Sequence, residues 1–184
     1  YGNAKVCGNA KVYGNAEVYG DAWVYGNAKV CENAEVYGNA EVYGDAEVYG
    51  NALVYGNAKV YGDAKVCGDA WVYGNAEVYG NAKVYGNAKV CGNAKVYGNA
   101  EVCENAEVYG DADYATVHGF GSECRTTTFF RDKNRGVSVS CGCFSGTLDE
   151  FCEKVKRAHR GTKHEREYLA IADLMEKHFE EDGL

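Results

Sequence analysis

From Tyr1 to Tyr114 the chain repeats a six-residue unit nineteen times without an insertion, in the form [Tyr/Cys]-[Gly/Glu]-[Asn/Asp]-Ala-x-Val. A fixed period of this kind limits the fold before any other property does, because each unit must solve the same packing problem as its neighbours. Within a unit, Ala and Val stand two apart and share one face of a strand, while x points the other way. The Gly-Asn or Gly-Asp pair that follows tolerates left-handed backbone angles, which a sharp corner requires. A short strand and a corner every six residues describe one side of a polygonal coil. Three sides give a triangular rung of 18 residues, and nineteen hexads give about six rungs, a prism roughly 30 Å long at ~4.8 Å per rung. Its interior is columns of Val and Ala that become stable only when several rungs stack.

The hexads resemble those of the hexapeptide-repeat superfamily of bacterial acyltransferases. That resemblance implies a left-handed parallel β-helix over residues 1–114 and, by analogy, a homotrimer. It also sets a functional expectation that the residues oppose. Relatives of that kind carry a histidine as general base and a loop thrown out of the coil, whereas these nineteen hexads contain neither. Without a base near neutral pH, an acceptor hydroxyl or amine loses its main assistance. No catalytic residue is therefore assigned. A divergent acyltransferase stays as an alternative beside a structural or binding role.

Stacking at 18 residues makes the outward positions testable. One face reads Lys5, Trp23, Glu41, Lys59, Glu77, Lys95, Asp113, alternating in sign from Glu41 onward. The other two faces contain like-charge neighbours, such as Lys65 and Lys83. Leu53 lies next to Trp71 in its row, as a surface packing pair or a subunit contact. In the Tyr/Cys columns no two cysteines are vertical neighbours. The closest stand two rungs apart, roughly 9.6 Å, beyond the ~7 Å that a disulfide allows. Free thiols are expected, as in a reducing, cytoplasmic compartment. On this reading Cys91 is a small substitute at a tyrosine corner.

Residues 115–184 differ in composition and read as a small α+β cap. Strands are expected at 114–120, 123–131 and 137–144, the last two as a hairpin about the turn 132–136. Thr147 with Glu150 predicts a capped helix whose buried face is Leu148, Phe151, Cys152 and Val155. Thr162 with Glu165 predicts a second, with Tyr168, Ile171, Ala172, Met175 and Phe179 inward. Such a unit is able to cover the open last rung, whose unpaired edge otherwise invites end-to-end association. The stretch SCGCFSGTLDEF resembles a small module that follows hexapeptide arrays in proteins of Firmicutes and their phages. This implies a bacterial or phage origin and no particular activity.

The chemistry-bearing residues fall in this cap. His118, Arg125, Arg131 and His159 are candidates for holding a small anionic, nucleotide-like ligand, in clefts between subunits. Cys124, Cys141 and Cys143 are candidate zinc ligands with His118 or Cys152, since Cys141 and Cys143 share a face if both lie on one strand. Plain structural cysteines are the competing reading, and no cofactor is assigned. Basic groups at Arg131, Lys133 and Arg135, and from Lys154 to Arg166, are read as a solvated helix face, with an anion or nucleotide pocket between subunits as the alternative. The net charge of -8 opposes nucleic-acid binding. No apolar run approaches the ~18 residues of a membrane span.

Overall fold

A computed structural model describes residues 2–110, 113–121, 123, 125–132 and 136–180. Among these, two-residue strands run from β1 (Lys5–Val6) to β18 (Glu107–Val108), each formed by the x and Val of one hexad. They build three parallel sheets of six strands, in which neighbouring strands are three places apart along the chain. The register is that of an 18-residue turn throughout: Lys5 lies against Trp23, Lys59 against Glu77 and Lys89 against Glu107. The result is a β-solenoid of about six turns. From Ala22 to Val108 the hexad alanines and valines have no exposed surface. Each buried valine contributes about 1.5–3 kcal/mol relative to leaving it in water.

Two-residue strands hold because the corners are equally regular. Gly62 has φ 72°, and a Cβ there would lie 3.1 Å from the backbone nitrogen of Gly80 on the next turn, so glycine satisfies both the angle and the close approach. Glu32 adopts the same region at φ 63°, with compensation. Its carboxylate accepts the Gly50 N–H at 2.9 Å. Beside the glycines the corner amides form ladders: Asn15 donates to Asn33, Asn33 to Asn51 and Asn51 to Asp69, at 2.8–3.1 Å. Tyrosines stack in two outer columns, with Tyr19, Tyr37, Tyr55 and Tyr73 spaced 4.8–5.0 Å between ring centroids and nearly parallel.

The outward charges pair vertically. Lys59 reaches Glu41 at 3.4 Å, in the row where alternation is expected. The like-charged neighbours Lys65 and Lys83 turn away from each other, to Glu47 at 3.0 Å and Glu101 at 2.9 Å. Flexible stems thus remove a conflict that the register alone suggests. Leu53 and Trp71 are direct partners, with the Lys89 ammonium 5.7 Å from the Trp71 ring.

Beyond the solenoid, β19 (Tyr114–Phe120), β20 (Arg125–Arg131), β21 (Val137–Cys141) and β22 (Phe144–Thr147) form an antiparallel sheet in chain order. The third expected strand is therefore two. Cys141 pairs with Phe144 across a two-residue turn whose first residue, Gly142, has φ 59°, a primed-turn geometry that calls for glycine. Helices α1 (Leu148–Ala158) and α2 (Lys163–Phe179) follow. Thr147 and Glu150 form the full capping box. Thr162 accepts the Glu165 N–H, while the Glu165 carboxylate reaches back to the Gly161 N–H. The five inward residues expected of α2 are its buried ones.

Strand β20 joins the two parts because both of its faces are buried. Thr128 and Phe130 face the last turn: the Thr128 hydroxyl accepts the Glu101 N–H at 3.0 Å, and Phe130 packs with the solenoid core. Phe129 instead packs with Phe151, Tyr168 and Met175 of the helices. Asp132 bridges Ala106 on the rung edge. The cap thus closes the end of the prism, as an exposed strand edge requires. Among the described residues no helix is long and apolar enough to cross a membrane.

Candidate functional site

The end of the cap sheet and helix α1 enclose a cavity of about 260 Å³. Its floor is aromatic. Phe151 stands edge-on to Tyr168, with centroids 5.6 Å apart and planes at 89°, and is tilted against Phe144, also at 5.6 Å. Val155 and Ala158 complete the apolar lining. Phe151, Lys154, Val155 and Ala158 lie at helical offsets of zero, three, four and seven, so α1 presents them together.

Around the rim stand three nitrogen-bearing side chains: Arg125 from β20, Lys154 from α1 and His159, the C-cap of α1. Arg125 is half exposed and lies 3.9 Å from the exposed Glu123 carboxylate, the outer limit of an ion pair. It extends over Gly142, where any side chain would collide with its guanidinium. Lys154 sits 5.0 Å above the Phe144 ring, a cation–π placement that holds the ammonium at the mouth. Burial, followed by the Cys141 thiol, pushes the Tyr168 hydroxyl up to about 12. The phenol stays protonated and donates to the Phe120 carbonyl at 3.3 Å.

The structure brings some of the expected ligand residues together and separates others. Arg125 and His159 share this cavity. His118 does not. Its Nδ1 lies 3.2 Å from the Thr126 hydroxyl, in a shallower groove of about 320 Å³ that also receives Arg125, Asn99 and Glu101. Arg131 is at the other end of β20, 3.5 Å from Asp113 and stacked 5.6 Å from the Phe179 ring. It serves the junction of cap and solenoid. Two residues of the remaining basic run pair locally, Lys156 with Glu153 and Lys163 with Glu167.

The cysteines need a correction. Cys141 ends β21 and Cys143 lies in the turn, so they do not stand on one face of one strand, although both line the cavity. The cause is Gly142, which turns the chain where a continuous strand is expected. Cys141 accepts a hydrogen bond from Thr127 at 3.1 Å. Cys124 and the turn residues Lys133 and Arg135 lie outside the described residues. Among the described residues no three His, Cys, Asp or Glu side chains converge as metal ligands do. In the array, Cys91 is buried, and burial raises its thiol above the ordinary range. It takes the place of a ring between Tyr73 and Tyr109.

The sequence placed Lys154 only within a basic group and did not single out Tyr168 as a site residue. Lys154 is hidden in a run of basic residues, and Tyr168 reads as core. The helical offsets around Lys154 carried the signal, but only the fold shows that β20 meets that face.

A protein-family model described as the YdcK beta solenoid repeat matches residues 10–26 and 46–62. The chain is similar to that repeat over these two stretches of the solenoid, and the match does not extend to the cap. No curated protein matches the sequence.

Proposed function

We propose that the protein is a non-enzymatic structural element, a rigid rod that presents or assembles its C-terminal module. On this reading it is of hexapeptide-repeat lineage and bacterial or phage origin. The observation that carries the proposal is the seal at the end of the prism. Phe130 and Tyr114 enter the solenoid core while Phe129, next to Phe130 on β20, packs in the separate core of the helices, so β20 ties cap to rod and a load on either is transmitted to the other. The solenoid that precedes this seal has no inserted loop and no histidine in nineteen hexads, which supports scaffolding over acyl transfer.

Self-association as a homotrimer belongs to the same proposal. Trp71, 40% exposed beside Leu53, supplies an apolar patch on one flat face, a feature that marks contact surfaces. The free thiols of the described cysteines support a reducing, cytoplasmic setting. Native mass spectrometry of the protein from its own source, paired with an acyl-coenzyme A turnover assay, tests the reading. The expected result is a homo-oligomer without turnover. A monomer that consumes acyl-coenzyme A overturns it.

A further inference from the structure

The cap cavity combines features that a rod does not need. We infer that it is a binding site for a small aromatic carboxylate: one ring on the Phe144, Phe151 and Tyr168 floor, and a carboxylate held between Arg125 and Lys154. The inference rests on the cap alone and stands or falls independently of the scaffold proposal.

Three observations carry it. First, the volume of about 260 Å³ lies just below the ~300 Å³ at which pockets for drug-sized ligands begin, which suits a single ring with a short acidic arm. Second, the two cations come from different elements, β20 and α1, and stand at the same rim as His159. Among the described residues, the acidic one in the lining is Glu123, at the 3.9 Å limit from Arg125 and 67% exposed. A ligand carboxylate entering there has a guanidinium fork whose geometry matches it, as an ammonium alone does not. Third, the floor is apolar and its phenol is already engaged with the Phe120 carbonyl, so a ring enters without stranding a polar group. The edge-on and tilted rings of Phe151 and Phe144 offer both a face and an edge to a third ring.

The test is calorimetric titration of the full chain with phenylacetate, phenylacetamide and acetate, with the His159 ring protons followed by NMR. Phenylacetate is expected to bind with a dissociation constant of about 1 mM or tighter and to shift the His159 signals. The amide, which lacks the charge, and acetate, which lacks the ring, are each expected to bind about tenfold more weakly or not at all. Arg125→Gln and Lys154→Gln each weaken phenylacetate about tenfold, the loss of one charge-assisted hydrogen bond. Lys177→Gln, the same charge change at the far end of α2, leaves it unchanged. Ala158→Phe fills the cavity without altering charge and abolishes binding. Absence of saturable binding overturns the inference. So does equal binding of the amide or of acetate, or an affinity that survives Ala158→Phe.

Discussion

Truncating Phe130 to alanine should detach the cap from the rod while leaving each recognisable. Phe130 has no exposed surface and belongs to the solenoid core, whereas its neighbour Phe129, equally buried, belongs to the core of the helices. Removing a fully buried phenylalanine costs about 3–5 kcal/mol, the transfer term plus the cavity left behind. The same loss falls on different parts in the two variants, because alternate residues of β20 face opposite ways. Phe130→Ala should open the last turn. Amide exchange at residues 95–108 accelerates by a factor of roughly 100 or more, as about 3 kcal/mol implies, and α1 and α2 keep most of their protection. Phe129→Ala should do the reverse. The assay is hydrogen exchange read by mass spectrometry, because a solenoid with an appended cap need not unfold in two states and a single midpoint would blur the parts. The reasoning is refuted if both variants accelerate the same residues equally, or if Phe130→Ala leaves the last turn protected as before.

Three further outcomes are expected. Gly62→Ala should cost more than Gly98→Ala in urea unfolding. Both sites have positive φ, worth about 1–2 kcal/mol against an L side chain, but at Gly62 the new Cβ meets backbone 3.1 Å away, whereas at Gly98 it meets no atom of the described residues within 4 Å. At high pH, burial and then the Glu35 and Glu41 hydrogen bonds hold the Tyr19 and Tyr25 hydroxyls up at about 12, against an ordinary value of 10.0. The folded state therefore retains protons that the unfolded chain releases, so this contribution is full below pH 10 and is lost as pH rises toward 12. Phenolate absorbance and unfolding, followed together, should rise in that window; ionisation of these residues near pH 10 in the folded protein would contradict it. With a thiol reagent, exposed Cys7 should react at once, while Cys91 and Cys103, both buried, react only on unfolding. Rapid modification of all three counts against the packing described.

Much of the rod is legible in the hexads because the period does the work of long-range information. Once one turn closes at 18 residues, the partner of every residue is known, including Leu53 for Trp71 and the vertical ion pairs. The same arithmetic keeps the cysteines apart. Where like charges stack, the choice between Lys65 turning to Glu47 and its clashing with Lys83 depends on side-chain reach, which the period does not encode. In the cap, the helices and the buried face of α2 follow from capping boxes and helical spacing, both local signals; of the four residues expected inward on α1, Phe151 and Val155 are buried and Leu148 and Cys152 are half-buried. The extra strand β22 was lost because Gly142 between two cysteines reads equally as strand interior or as turn.

The sequence alone determined the repeating architecture of this protein, because each hexad states its own strand, corner and inward residues, and stacking multiplies that statement. Only the tertiary structure decided which face of β20 seals the rod and which meets the helices. It also decided that Arg125 and His159 share a cavity with Lys154 while His118 and Arg131 do not. Those outcomes rest on contacts between elements far apart in the chain, set by how one sheet lies across the end of another, and no local pattern of residues carries that information.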